Sequence, residues 1–159
     1  MKVVRELIAL AGVVFAAAVV GDFYSRLPER IATHFNGAGV ANGFGGRGTL
    51  WVLVGIAFLL YATLSAIDFL PRVVNLRRPL DPVREKIVWD ETTAMVGWVK
   101  VEVCWMFAYL CLAMVRNAMG MQVGLGRWFL PVTLLAVFGT MAIYLGRIVR
   151  LVGGFELRD

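Results

Sequence analysis

Charge is scarce in this chain: 17% of its 159 residues are Asp, Glu, Lys or Arg, whereas 60% are hydrophobic and the mean hydropathy is +0.76. A soluble domain of this length cannot hide so much apolar surface behind so few charges. An ordinary globular fold is therefore excluded, and the bilayer must serve as part of the solvent. Histidine occurs once and cysteine twice. Cys104 and Cys111 share one apolar stretch; on a helix they lie about 10 Å apart along the axis, too far for a disulfide. They read as small buried apolar residues. Nucleotide loop, haem motif, zinc helix and nucleophile elbow are all missing, so neither an enzyme nor a cofactor is expected. The net charge of +5 is not gathered into a stripe, which argues against nucleic acid as a partner. Lys and Arg fall mostly between the apolar runs, where membrane lipids and orientation account for them.

What is present is four apolar runs. A helix needs about 20 largely apolar residues to cross the hydrocarbon core, and spans are expected near residues 5–23, 48–68, 95–116 and 128–147. The first run, Leu7 to Gly21, extends across the interfaces through Val3, Val4, Phe23 and Tyr24. The third carries Lys100 and Glu102 inside it. The first run also has the layout of a secretory leader, with Lys2 and Arg5 ahead of it and Ala16-Ala17-Ala18 within it; a retained helix is the expectation. The fold class expected is all-α, an integral membrane four-helix bundle forming one domain over residues 1–159. With the N-terminus inside, the inner side holds Lys2, Arg5, Arg72, Arg77, Arg78, Arg84, Lys86, Arg147, Arg150 and Arg158. The outer side then holds Arg26, Arg30, Arg47, Arg116 and Arg127. Ten against five places both termini in the cytoplasm, with loop 24–47 outside and loop 71–90 inside. The pairs Gly12 with Ala16 and Ala62 with Ala66 suit close helix approach. Asp81-Pro82 predicts a helix start, with Asp81 as N-cap. That helix should continue to about Met119, roughly 55 Å, so its first turns stand in the cytoplasm. There Val83, Ile87, Ala94 and Trp98 form an amphipathic foot on the leaflet or on a partner.

The loop before the second span is the most informative stretch. Pro28 can open a short helix and Asn36-Gly37 can close it, with Leu27, Ile31 and Phe35 on one face at i, i+4, i+8. This predicts an interfacial helix. A glycine-rich turn follows, six glycines in residues 37–48, with Asn42-Gly43 as a turn signal. A reversal of the chain is expected there; an anion-binding nest completed by Arg47 is the sharper alternative.

The stretch LPERIATHFNGAGVANGFGGR resembles the signature of the bacterial domain of unknown function 1648, which also forms the N-terminal part of SdpI-type immunity proteins. The matching positions are Leu27, Pro28, Ile31, His34, Phe35, Asn36, Gly39, Phe44 and Arg47. Ala32 and Ala41 stand where the pattern has proline, and Asn42 where it has aspartate. The resemblance implies a protein of the bacterial inner membrane that binds a peptide, a lipid or a partner at its outer loop. Immunity members of the family protect a producing cell from its own peptide toxin, sense that toxin and hold a repressor at the membrane. They carry further spans that this chain lacks, so the implied function transfers only as a class.

Three polar residues stand out. His34 has only oxygen-bearing neighbours, Asp22, Glu29 and Asn36, and Arg30 four residues earlier opposes a cation. No metal site is expected, and His34 with Asn36 should hydrogen-bond the glycine turn. Phe44 should return to the membrane, and Arg47 should stay near headgroups or a partner's acid. Glu102 falls on the face of Trp98, Trp105 and Tyr109. An intramembrane acid is a functional candidate by default; an ion pair with Arg72, Arg147 or Arg150 is the expectation here. Lys100 lies far around the helix and should snorkel to the inner headgroups. The function expected is a membrane binding or immunity-type protein, with lipids and a protein partner or second copy as its company. The alternative is a structural accessory subunit of a larger complex. A proton-coupled transporter using Glu102 comes third, because no repeat symmetry supports a carrier.

Overall fold

The Asp81-Pro82 pair starts a helix in the way its chemistry requires. In a computed structural model that describes residues 1–67 and 81–153, the Asp81 carboxylate accepts from the amides of Val83 at 3.0 Å and Arg84 at 3.2 Å. Two donors of the first turn are thereby satisfied. The helix that follows, α3, runs over Pro82–Ala118. Its companions are α1 (Lys2–Phe23), α2 (Thr49–Ala66) and α4 (Phe129–Gly153). All four are long and apolar enough to cross a membrane. The chain is a multi-pass membrane protein, as the composition predicts.

The bundle is organised around α3, against which α1, α2 and α4 all pack. Ala9, Gly12, Val13, Ala16 and Val20 form the buried stripe of α1, at the spacing of one helical face. At Gly12 an added Cβ would lie 3.2 Å from the backbone carbon of Cys104, so the small residue sets how closely α1 and α3 approach. The other predicted small-residue pair, Ala62 and Ala66, is exposed. Cys104 and Cys111 are buried and unbridged, as their spacing requires. No residue of α4 is buried among those described, so lipid or another molecule must cover most of it.

Between α1 and α2 the structure departs from the expected interfacial helix. A 3₁₀ turn over Tyr24–Arg26 leads into an antiparallel hairpin of β1 (Arg30–Phe35) and β2 (Ala41–Gly46). The residues that suggested a helix also satisfy a strand, because Ile31, Thr33 and Phe35 recur at period two. What decides between them lies across the hairpin. Gly45 faces Ile31 and Gly43 faces His34; a Cβ on Gly43 would come within 2.8 Å of the His34 Cβ. The glycines of β2 leave room for the β1 side chains, and an isolated helix would waste that fit. Asn42-Gly43 accordingly lies inside β2, and the reversal falls at residues 36–40.

Toward the other end, α3 extends past the bundle with Val83 and Ile87 exposed. There α4 continues beside it to Gly153, and Arg147 reaches Glu91 at 3.7 Å. Arg72, Arg77, Arg78 and Arg158 lie outside the described residues, as does the first half of the expected loop 71–90, whose second half belongs to α3.

Candidate functional site

Two polar constructions stand out, one at the hairpin end of the bundle and one within the helices. At the hairpin end, Leu27 and Ile31 are buried in a cluster with Ala16, Val20, Leu50, Ala108, Cys111, Met114 and Val115, with Phe35 packed against it. These three residues were expected to hold the loop to the membrane surface. Instead they are inserted between α1, α2 and α3 and fasten the hairpin to the bundle itself. Burying a Leu or Ile side chain contributes about 1.5–3 kcal/mol, so the hairpin is a packed part of the fold. Its base is closed by the Arg47 amide on the Glu29 carbonyl at 3.0 Å.

The turn is held by its own side chains. The Asn36 Oδ1 accepts from the amides of Ala38 and Val40, both at 3.0 Å, and the Gly39 amide donates to the Asn36 carbonyl at 2.8 Å. Those amides are consumed within the turn, so it offers no anion nest. His34 Nδ1 meets Asn42 Oδ1 at 2.5 Å. The one histidine thus ties β1 to β2, the hydrogen-bonding role its sequence context suggests. Asn42, where the family pattern has an acid, supplies the acceptor.

Arg47 does not point to headgroups. Its guanidinium donates to the carbonyls of Tyr24 at 3.3 Å and Leu27 at 2.9 Å and lies over the Tyr24 ring at 5.0 Å. It satisfies carbonyls left by the break between α1 and the hairpin. Phe44 stands opposite Ala32 and is 60% exposed, and Pro28 is exposed as well.

At this end the residues that sequence reasoning missed lie on α3 and in the loop between α3 and α4. The Leu125 amide donates to the Gly39 carbonyl at 2.7 Å, and the Leu125 carbonyl accepts from the Tyr109 hydroxyl at 2.7 Å. Asn117 shapes this loop, its side chain bonding Gly124 through both the amide and the carbonyl. Gly39, Gly124 and Gly126 all have φ between +70° and +82°, a region open to glycine at little cost. The Gly-Leu-Gly run at 124–126 was the available sign of a tight backbone contact. Around this docked pair Val40, Met121, Val123 and Trp128 are exposed.

Within the helices the expected pairings are exchanged. Lys100 does not snorkel: it is 1% exposed and ion-paired with Glu6. Its ammonium also donates to the Ser65 hydroxyl at 2.9 Å, which in turn donates to Glu6 at 3.2 Å, and it lies 5.5 Å from the Tyr61 ring centre. One polar knot therefore joins α1, α2 and α3. Glu6 was missed because it stands at the edge of the first run, 94 residues from its partner. Glu102 is not held by an arginine among the described residues. Thr140 donates to its Oε1 at 2.6 Å, while Arg147 is taken by Glu91 and Arg150 lies beside Arg84 and Ile87.

Residues 8–58 match the family described as Domain of unknown function (DUF1648). That segment takes in most of α1, the whole hairpin and the first half of α2, and the resemblance seen at Leu27 to Arg47 falls inside it. No curated protein and no solved structure matches the chain. The DUF1648 segment contributes Gly39 to the hairpin-end contact, whereas Leu125, Asn117 and Tyr109 lie beyond it.

Proposed function

We propose that the chain is a binding protein of the bacterial cytoplasmic membrane whose recognition element is the hairpin docked on the α3–α4 loop. The ten-to-five distribution of Lys and Arg supports an outward-facing hairpin and cytoplasmic termini. The observation that carries the reading is how firmly this end is built. A connection between two antiparallel helices needs only a few residues, yet here Leu27, Ile31, Asn36 and Arg47 all serve to hold one hairpin in one pose. Side chains so mounted are pre-organised for binding. The exposed Val40, Phe44, Val123 and Trp128 supply apolar contact area, and Arg26, Arg30, Arg116 and Arg127 outnumber Asp22 and Glu29 around them. A ligand with an apolar surface and an acidic rim suits that face. The immunity-type role is the family-level version of this reading, with a peptide as the ligand.

The test is a photo-crosslinking residue at Phe44 or Val123, activated in intact cells. A discrete peptide or protein adduct that disappears in Gly39→Val, with His34→Ala weakened and Thr33→Ala unchanged, supports the reading. Adducts to bulk lipid alone, identical in all variants, overturn it. An accessory-subunit role draws on α4, which has no buried residue of its own among those described. It predicts co-migration with a large assembly in mild detergent, where a self-sufficient binder runs alone or as a small oligomer.

A further inference from the structure

Besides the Arg147–Glu91 pair, α3 and α4 meet at two levels nearer the hairpin end, with a groove between them. At the hairpin end Tyr109 stacks on Phe129 with ring centres 5.0 Å apart. Deeper, Thr140 donates to Glu102. The eleven residues from Phe129 to Thr140 put these rungs about 16 Å apart along α4. Between them is a groove of about 400 Å³, lined by Trp105, Met106, Val132, Thr133 and Ala136 as well as by Tyr109, Phe129 and Glu102. That volume is within the range of small-molecule sites, roughly 300–1,000 Å³.

The groove walls have little polar capacity to spare. The Trp105 indole N–H is spent on the Ile8 carbonyl at 3.0 Å and the Tyr109 hydroxyl on Leu125, which fixes both rings and leaves Thr133 as the other polar lining residue. Glu102 is different. Its Oε1 accepts from Thr140, but its Oε2 is buried without a hydrogen-bond partner. A buried acceptor without a donor is costly, and a single water among apolar walls finds too few partners. Nearby cations among the described residues are committed elsewhere: Lys100 to Glu6, Arg147 to Glu91 and the Tyr144 ring, Arg127 over the Trp128 ring.

We propose that this groove binds a protonated amine carried on an apolar body. The ammonium pairs with the carboxylate of Glu102, the one acid among the groove's lining residues, and charge complementarity sets the choice of occupant. The apolar body lies along Trp105 and Phe129, whose ring faces favour a nearby cation. A lipid tail would fill the volume but leave the Glu102 carboxylate without a counter-charge. This site is independent of the hairpin face and shares no exposed residue with it beyond Trp128 at its mouth.

Dansylcadaverine, a fluorescent primary amine, tests it on the full chain in phosphatidylcholine nanodiscs. Saturable, blue-shifted dansyl emission is expected, with at least tenfold weaker binding in Glu102→Gln and an equal loss for the neutral N-acetylated probe. Val132→Trp fills the groove without touching the carboxylate and should also weaken binding at least tenfold, so it carries the test if Glu102→Gln does not fold. Equal binding of the neutral probe shows an acyl-chain groove and overturns the proposal, as does unchanged binding in Glu102→Gln or Val132→Trp. Val132→Cys forming a disulfide between two copies shows a second α4 in the groove and overturns it as well.

Discussion

The carbonyl of Gly39 accepts the amide hydrogen of Leu125 at 2.7 Å, and this bond joins the hairpin to a loop eighty-six residues further along the chain. Gly39 has φ +76°, and a Cβ there would lie 2.9 Å from the Gly126 carbonyl oxygen. Gly39→Val therefore meets both an unfavourable backbone conformation and a backbone clash. A loss of about 1–3 kcal/mol is expected, read by equilibrium unfolding in mixed micelles. Gly37, with nothing within 4 Å, is the contrast: Gly37→Ala should stay within about 0.5 kcal/mol of the parent.

Lys100 and Glu6 should behave as one unit. Lys100→Met leaves Glu6 without its cation; because Glu6 is 27% exposed, the loss should fall at or below about 3 kcal/mol, the low end for a buried pair. Glu6→Leu added to Lys100→Met removes the stranded charge and should recover most of that loss. A double-mutant cycle measures the coupling; additive effects would show that the two residues act separately.

Asn36→Ala removes the acceptor for the amides of Ala38 and Val40. Each lost bond is worth about 0.5–1.5 kcal/mol. Hydrogen exchange at those two amides should quicken roughly tenfold per 1.4 kcal/mol, while the amides of α1 and α3 keep their protection. Quickening throughout the bundle would mean that the turn supports the whole fold.

The charge distribution predicts opposite accessibility for the two ends. Gly37→Cys should react with an impermeant maleimide in intact cells, and Lys86→Cys only after permeabilisation. The native thiols provide a quiet background, since Cys104 and Cys111 are both buried. Labelling of Lys86→Cys from outside reverses the topology.

The helices were legible because their causes are local. Asp81 and Pro82 adjoin the helix they start, and the length of an apolar run measures a span directly. The hairpin was not, since Leu27, Ile31 and Phe35 fit a helix while Ile31, Thr33 and Phe35 fit a strand, and only the glycines across from them decide. The candidate site divides the same way. His34 and Asn36 hold the turn as their residue types suggest, whereas Arg47 turns inward to carbonyls that exist only because α1 ends where it does. Lys100 and Glu102 were seen as intramembrane charges, but their partners Glu6 and Thr140 come from other helices and left no mark at helical spacing.

The polar knot also imposes an order in time. Glu6 is made 94 residues before Lys100, an interval of roughly 5–20 s at about 5–20 residues per second. During that wait Glu6 has no Lys100 to meet; the nearest ammonium is Lys2, one turn before it on the same helix, and α2 offers it the hydroxyls of Ser65 and Tyr61. The carboxylate is best kept at the water interface until α3 arrives, so α1 settles to its final depth late, drawn in by a helix synthesised after it. Chains ending before Lys100 should consequently hold their first helix loosely and be cleared faster than chains ending after it, a difference that pulse-chase of nested truncations measures directly.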